Sequence, residues 1–170
     1  MDLKQYIRDV PDFPIPGVLF RDITPLLKNP QAFAYVLDEF TRVARDTGIE
    51  GVVAIESRGF IFGAPLARTL NVPFVPIRKP GKLPAARMSI EYALEYGTNQ
   101  LDIHQDALER GQRVVIVDDL LATGGTARAA AKLVEMVGGT VARFLFVIEL
   151  TNLHGRQALE GYELTTLVTY

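Results

Sequence analysis

The sequence contains no cysteine and only two histidines, His104 and His154. Disulfide bonds and thiolate metal sites are therefore excluded, and a zinc site is not expected, because proteins hold zinc mainly with cysteine and histidine. The two histidines and the three methionines show no pattern of partners. We interpret all of them as structural residues.

Long apolar runs are also missing. No stretch reaches the roughly 18 consecutive apolar residues that a membrane-spanning helix needs. The first residues, MDLKQYIRDVPDFPIPG, do not have the basic and then apolar order of a secretory signal. We therefore expect a cytoplasmic protein with no membrane partner.

A strong positive charge is the third absence. The formal net charge is −2, the isoelectric point is near 5.7, and the 18 lysines and arginines are spread along the chain. A nucleic-acid partner is not expected, because nonspecific binding to phosphates needs a basic surface. The 170 residues show no repeat, low-complexity tract or linker, which indicates a single domain that acts on small molecules.

The sequence does have regularly placed apolar runs: GVVAIES, VPFVPIR, RVVIVDD and RFLFVIEL. Such runs are typical of strands buried on both faces. Most are separated by helical patterns, NPQAFAYVLDEFTRVARDTG, GFIFGAPLARTLN and TARAAAKLVEMVGG, with helix ends predicted at Gly48 and at Gly138-Gly139. The alternation predicts an α/β fold with a central, mostly parallel sheet flanked by helices.

Two regions interrupt this alternation. Residues 10–26 hold four prolines and a glycine, which predicts a folded-over loop with one short strand. Residues 79–88 are basic and rich in proline and glycine, which predicts a mobile loop. Alternation at Ile90, Tyr92, Leu94 and Tyr96 predicts a two-stranded ribbon that carries this loop and turns around 97–99.

The stretch VVIVDDLLATGGT, residues 114–126, places Asp118 and Asp119 where a buried strand leaves the sheet, and parallel sheets bind ligands at that end. In residues 122–126 the glycines let backbone N–H groups converge, Thr123 and Thr126 add hydroxyls, and a helix start favours an anion. The acids can accept hydrogen bonds from ribose hydroxyls, with Mg²⁺ balancing charge. The stretch therefore predicts a ribose 5-phosphate site, the alternative being a tight turn with solvated acids.

Three shorter motifs allow two interpretations each. In IESRGF, Ser57 is either a helix cap or, with Arg58, part of a pyrophosphate site. In RKPGKLP, Arg78, Lys79 and Lys82 are either solvated surface charges or bind a leaving group that carries several negative charges. In LEYG, Glu95 is either a solvated acid or a general acid/base.

The stretch VVIVDDLLATGGT resembles the phosphoribosyl pyrophosphate motif of the type I phosphoribosyltransferase family. DFPIPGVLFRDITPLL, AIESRGFIFGAPLA, PIRKPGKLP and SIEYALEYG are similar, in order and spacing, to segments of its adenine-specific members, from Asp12 to about Leu150. The resemblance implies the type I phosphoribosyltransferase fold, with an N-terminal base-binding hood at about 1–28 and a flexible loop and ribbon at about 78–105. It also implies purine salvage, in which phosphoribosyl pyrophosphate and adenine give AMP and pyrophosphate.

The resemblance further implies a set of site residues. Base recognition falls to the Leu19 carbonyl, the Phe20 ring and the Arg21 N–H, and a strained or cis peptide is expected between Glu56 and Ser57. The catalytic residues are Arg58, Glu95, Asp118 and Asp119, and the substrate-binding residues are Leu19, Phe20, Arg21, Glu56, Ser57, Arg78, Lys79, Lys82, Tyr96, Ala122, Thr123, Gly124, Gly125 and Thr126.

The implied cofactor is Mg²⁺, bound through pyrophosphate and ribose hydroxyls without a direct protein ligand. The implied assembly is a homodimer, with Arg78 reaching across its interface and a closed loop over residues 79–97 that excludes water. AARM has no firm match, so Arg87 receives no role. Two alternatives remain open: a noncatalytic regulator that senses the donor and binds nucleic acid, and a transferase for a 6-oxopurine or orotate.

Overall fold

The computed structural model describes residues 1–93 and 98–170, which form two compact units, Met1–Glu39 and Phe40–Tyr170. The first unit contains a 3₁₀ helix (Leu3–Tyr6), the antiparallel strands β1 (Arg8–Pro11) and β2 (Leu19–Asp22), and helix α1 (Thr24–Lys28). Helix α2 (Pro30–Arg45) begins in this unit and ends in the second.

The predicted loop at 10–26 contains the expected short strand, β2, but it also runs into a helix that the sequence did not predict. Helix α1 begins at Thr24 with Pro25 in its first turn. The missing N–H of proline costs nothing there, because the first N–H groups of a helix have no partner within it. The number of prolines in residues 10–26 therefore did not exclude a helix, because Pro25 lies in the first turn of α1.

The strands of the second unit, in sequence order, are β3 (Gly51–Ile55), β4 (Phe74–Ile77), β5 (Arg87–Ala93), β6 (Thr98–His104), β7 (Arg113–Leu121), β8 (Thr140–Glu149) and β9 (Leu164–Thr169). Its helices are α3 (Arg58–Leu70), α4 (Gly125–Met136) and α5 (Gly155–Ala158), and a 3₁₀ helix (Thr151–Leu153) precedes α5. Strands β4, β3, β7, β8 and β9 form a parallel sheet in that order.

The predicted parallel sheet is therefore confirmed, and burial explains why its strands could be recognised. All five residues of β3 and the four aliphatic residues of β7 from Val114 to Val117 are buried. Strand β9 was missed because LTTLVT contains three threonines and only one buried residue at the edge of the sheet. An edge strand lacks the continuous apolar run of a central strand.

The direction of chain crossover reverses between β3 and β7. From β3 the chain passes through α3 to β4 on one side, whereas from β7 it passes through α4 to β8 on the other. Open parallel sheets bind ligands outside the carboxyl ends of the strands at such a reversal, because the diverging crossovers leave a crevice there. The fold places the ends of β3 and β7 on either side of this crevice.

The predicted helix ends lie near the structural ones. Helix α2 ends three residues before Gly48, and α4 ends two residues before Gly138, with φ of +62° and +94° at the two glycines. After α4, the N–H of Gly139 donates to the carbonyl of Val134 and that of Gly138 to the carbonyl of Glu135. This pair of bonds is a Schellman motif, which satisfies carbonyls at the helix end.

Strands β5 and β6 form the predicted two-stranded ribbon, which is antiparallel from the Arg87–His104 pair to the Ala93–Thr98 pair. The predicted turn at 97–99 is wrong at Thr98 and Asn99, whereas Gly97 and the predicted strand positions Leu94 and Tyr96 lie outside the described residues. Thr98 and Asn99 belong to β6, where they pair with Ala93 and Tyr92. Within the described part of the chain, no helix is both long enough and apolar enough to span a membrane.

Candidate active site

A cavity of about 280 Å³ opens at the carboxyl ends of β3 and β7. It therefore lies at the crossover reversal, where the fold predicts ligand binding. The residues that line it are Ile55, Glu56, Ser57, Arg58, Lys79, Tyr92, Asn99, Leu101, Asp118, Asp119, Leu120, Leu121, Ala122, Thr123, Gly124, Thr126, Ala127 and Phe146. Ten of the predicted site residues are among them.

One wall is formed by residues 122–126, where the sequence predicts a phosphate site, and we call this segment the phosphate loop. Gly124 occupies the N-cap position of α4, and Gly125 is the first residue of that 12-residue helix. The loop thus brings a helix start, with its unpaired N–H groups and positive end, to the cavity. Thr123 is exposed, and Thr126 is half-buried, so both hydroxyls are available to an anion.

The structure adds a packing requirement at Gly124 to the site role predicted from the sequence. With φ of +84°, an added Cβ would lie 2.5 Å from the carbonyl oxygen of Gly155 and 2.8 Å from Cβ of Ala158. Gly124 is buried, and its missing side chain makes room for α5. A larger residue at 124 therefore displaces α5, and the loop is less exposed than the sequence suggested.

The two acids after the buried part of β7 have different partners. Arg58 Nε donates to Oδ2 of Asp119 over 2.5 Å, and the Asp119 side chain is only 4% exposed. Burial and the neighbouring Asp119 carboxylate together raise the pKa of Asp118 well above its ordinary value. The two acids therefore differ, because Asp119 is held in an ion pair by Arg58, whereas Asp118 holds its proton more tightly than an ordinary aspartate does.

Arg58 lies at the start of α3, directly after the turn that leaves β3. The peptide between Glu56 and Ser57 is cis, as the resemblance implied. Ser57 occupies the N-cap position of α3 but makes no side-chain capping bond, so the alternative of a simple cap is not supported. At Gly59 a Cβ would lie 2.6 Å from the Val117 carbonyl oxygen, which explains why glycine lets α3 approach β7 closely.

Glu56 organises the start of the basic loop, which we define as residues 78–87. It accepts hydrogen bonds from Arg78 Nε at 3.1 Å and from the Lys79 N–H at 2.9 Å. Burial by itself would raise the pKa of Glu56, but these two partners outweigh it and lower the pKa. Lys79 lines the cavity, whereas Arg78 and Lys82 do not; Arg78 is bonded within its own chain to Glu56 and to the Lys82 carbonyl.

Both ends of the basic loop meet Asp102, whose side chain is fully buried. The backbone of Arg78 exchanges two hydrogen bonds with that of Asp102, and Nε of Arg87 forms an ion pair with Asp102 Oδ2 at 3.3 Å. Oδ1 accepts from Gln100 Nε2 at 2.8 Å. Arg87, which the sequence left without a role, therefore fastens the loop to β6.

The predicted base-binding residues lie on β2 in the first unit. Leu19 is exposed, Phe20 is half-buried with its ring edge-on to Phe13 at 5.1 Å between centroids, and Arg21 forms an ion pair with Asp9. Pro11 lies opposite Leu19 in the ladder. Since proline has no N–H, the Leu19 carbonyl receives no bond from it. Glu95 and Tyr96 lie outside the described residues.

Sequence reasoning missed two features of the cavity. Tyr92 and Asn99 line it from the ribbon, and α5 supports the phosphate loop from behind through Gly155. The alternation in β5 did place Tyr92 on a strand but gave no sign of its partner. No group of three or more His, Cys, Asp or Glu side chains able to hold a metal occurs in residues 1–93 and 98–170.

Comparison with known proteins agrees with this geometry. A family model described as the phosphoribosyl transferase domain matches residues 27–167. The adenine phosphoribosyltransferase of Acaryochloris marina is 61% identical over 170 residues, which cover 100% of both chains.

Among solved structures, the adenine phosphoribosyltransferase of Thermoanaerobacter pseudethanolicus has a TM-score of 0.96 and 54% identity, over 99% of this chain and 98% of that one. The enzyme of Saccharomyces cerevisiae, in complex with an imino-altritol bisphosphate and adenine, has a TM-score of 0.93 and 40% identity, over 98% and 96%. The resemblance seen in the sequence is thus confirmed, and the chain belongs to the phosphoribosyltransferase family, among its adenine phosphoribosyltransferases.

Proposed function

We propose that this chain transfers the phosphoribosyl group of 5-phosphoribosyl 1-pyrophosphate to adenine, giving AMP and pyrophosphate in purine salvage. One observation carries the proposal: the cavity joins the phosphate loop, the acids Asp118 and Asp119, and the turn at Ser57-Arg58 around one crossover reversal. A donor with a phosphate at one end, ribose hydroxyls in the middle and pyrophosphate at the other matches these three groups in chemistry and order.

The 5-phosphate is assigned to the phosphate loop, residues 122–126, whose backbone N–H groups and threonine hydroxyls donate to it. The ribose hydroxyls are assigned to Asp118 and Asp119, which accept hydrogen bonds. When the bond at ribose carbon one breaks, positive charge develops on the sugar. The nearby carboxylates stabilise that charge, because it is greater in the transition state than in the ground state.

The pyrophosphate is assigned to the backbone at Glu56 and Ser57 and to the cations that surround it. Arg58 and Lys79 already line the cavity, and Arg58 is 47% exposed, so its guanidinium is accessible to a second anion while it holds Asp119. Arg78 and Lys82 complete the set from the basic loop. Cations at this position stabilise the negative charge of the leaving group.

Adenine is assigned to Leu19, Phe20 and Arg21. Backbone groups of residues two apart on a strand point to the same edge, so the Leu19 carbonyl and the Arg21 N–H can face one ligand together. Adenine offers an amino donor beside the N1 acceptor, which complements that pair, whereas a 6-oxopurine presents the reverse. The Phe20 ring packs on the purine, and Glu95, next to Tyr96, moves the purine proton.

Mg²⁺ completes the proposal as cofactor. Mg²⁺ prefers oxygen ligands and usually combines one or two carboxylates with substrate phosphates and water, and the cavity carries two carboxylates on β7 beside its cationic end. We expect the donor to hold the ion through pyrophosphate and ribose hydroxyls, which Asp118 and Asp119 orient. When bound, the ion offsets the charge of the leaving group.

The proposal includes a homodimer and a cytoplasmic location. The homodimer would bring Arg78 to the partner subunit after release from Glu56. A cytoplasmic location suits the substrate, because a highly charged phosphate ester does not cross a membrane unaided. Analytical ultracentrifugation and cell fractionation test these two parts.

The decisive experiment measures pyrophosphate release with adenine, hypoxanthine, guanine and orotate at saturating donor and Mg²⁺. We expect efficiency with adenine to exceed that with hypoxanthine by about 10⁴-fold, because the wrong base leaves buried polar groups unpaired. Phe20→Ala should raise KM for adenine far more than KM for the donor. Comparable efficiency with hypoxanthine would overturn the choice of adenine, and no release with any base would overturn the reaction.

A further inference from the structure

We propose that Tyr92 is a positioning residue for the donor 5-phosphate, which acts by donating its hydroxyl hydrogen to Thr126. The inference rests on the proposed role of the phosphate loop and adds a residue of the ribbon to it. It is carried by a single contact between two elements that both reach the cavity: Tyr92 Oη lies 3.1 Å from Oγ1 of Thr126.

The contact joins parts of the chain that are far apart in sequence. Tyr92 is on β5, where it pairs with Asn99 of β6, and Thr126 is in the first turn of α4. Both residues are half-buried. The hydrogen bond is therefore partly shielded from water, and it ties the ribbon to the phosphate loop at the cavity wall.

Proton counting fixes the direction of the bond when an anion is bound. A threonine hydroxyl has one hydrogen and can accept further hydrogen bonds, whereas an ionised phosphate mainly accepts them. Thr126 must then give its hydrogen to the phosphate, so Tyr92 must be the donor to Thr126. Without an anion, either hydroxyl can be the donor.

With these donors, two consecutive hydrogen bonds run from Tyr92 to Thr126 and from Thr126 to the phosphate. Each hydrogen bond in such a chain polarises the next, and the bond to a charged acceptor is the stronger kind. The Tyr92 hydroxyl also stops the Thr126 hydroxyl from rotating away from the loop. Its effect on the donor is thus confined to the 5-phosphate and passes through Thr126.

The test compares ribose 5-phosphate with pyrophosphate as probes, by isothermal titration into the full chain. Tyr92→Phe should weaken ribose 5-phosphate binding by about three- to tenfold, the loss of one neutral hydrogen bond, and leave pyrophosphate binding unchanged. Thr126→Val should weaken it by about tenfold or more. The double variant should bind as Thr126→Val does, within about twofold, because the tyrosine acts only through the threonine.

Tyr162→Phe is the matched control, since its hydroxyl bonds to Glu135 Oε1 at 2.6 Å on the same helix, α4, outside the cavity lining. It should leave both probes unaffected, and melting curves check the fold of every variant. If Thr126→Val weakens ribose 5-phosphate binding but Tyr92→Phe does not, the inference fails and the phosphate loop stands. If Thr126→Val has no effect, the assignment of the loop fails as well. If the two losses multiply in the double variant, Tyr92 acts independently of Thr126 and the inference is overturned.

Discussion

Nε of Arg58 donates to Oδ2 of Asp119 over 2.5 Å, and this bond joins the start of α3 to the end of β7 across the crossover reversal. Burial lowers the pKa of Arg58, but the Asp119 carboxylate outweighs it and raises the pKa. The adjacent Asp118 is half-buried, and its loss of solvation together with the neighbouring Asp119 carboxylate raises its pKa.

The two acids should consequently differ in their effect on stability. Asp118 keeps its proton to a higher pH in the folded chain than in the unfolded chain, so its contribution to stability falls as pH rises above its ordinary pKa of 3.8. At pH 7, Asp118→Asn should leave the melting temperature unchanged or raise it. Asp119→Asn should lower it by about 2–4 °C, the shift for about 1 kcal/mol in a chain of this size.

Both substitutions should reduce turnover, because an amide is not an acceptor-only group and carries no charge for the transition state. Melting curves and initial rates on the same samples check this. An equal loss of stability in the two variants would contradict the different environments of the two acids.

Gly124 is predicted to be required for packing. Gly124→Ala combines a positive φ, which costs about 1–2 kcal/mol for a residue with a Cβ, with contacts of 2.5 and 2.8 Å to α5. Gly161→Ala is the control, because φ there is +92° and nothing lies within 4 Å of the added Cβ. Urea unfolding should show a loss larger by about 1–3 kcal/mol at position 124. Equal losses would mean that α5 moves freely away from the loop.

The Arg87–Asp102 pair should respond unequally to loss of its members. Arg87→Gln leaves a fully buried carboxylate without its cation, whereas Asp102→Asn leaves an arginine that is 46% exposed to water. Arg87→Gln should therefore be the more destabilising change, toward the lower end of the about 3–5 kcal/mol known for broken buried pairs. The double variant should recover part of that loss in urea unfolding. Strictly additive effects would show that the two side chains are not coupled.

Glu149 should make stability depend on pH. Two bonds of 2.7 Å from Arg156 lower its pKa; burial opposes them, and a 3.0 Å bond from Thr166 adds to them. The folded pKa lies below the ordinary 4.5, so this stabilisation is present above about that pH and is lost as pH falls through the folded pKa.

Glu149→Gln should therefore cost about 1–2 kcal/mol at pH 7 and less at pH 4, as measured by urea unfolding. Glu163→Gln is the control, because Glu163 is 75% exposed and lies 3.6 Å from Arg143. A pH-independent difference between Glu149→Gln and the parent would refute the assigned ion pair.

Glu95 is predicted to manage the purine proton. Glu95→Gln should reduce kcat by about 10² to 10⁴-fold with little change in donor affinity. Glu91→Gln, an exposed glutamate on β5, is the matched control and should retain parent kcat. Steady-state kinetics at saturating substrates check both. Near-parent turnover of Glu95→Gln would remove Glu95 from the mechanism.

The sequence by itself determined the parallel sheet, its main helices and the glycine turn that precedes α4. Each of these features depends on residues close together in the chain. The central strand β7 is buried on both faces and so has a continuous apolar run, and α2 has apolar residues that repeat with the 3.6-residue period of a helix. A glycine directly before a helical pattern indicates the turn at Gly124. The edge strand β9 and the short α5 were missed, because neither has a long enough apolar pattern.

Only the tertiary structure decided which side chains meet. Arg58 and Asp119 are 61 residues apart, and Tyr92 and Thr126 are 34 residues apart. A hydrogen bond forms only within a narrow range of distance and angle between donor and acceptor. For residues far apart in the chain, that geometry is set by the order of strands in the sheet and by the packing of helices on it. Gly124 shows the same limit, since nothing in the sequence indicated that α5 packs against it through Gly155 and Ala158.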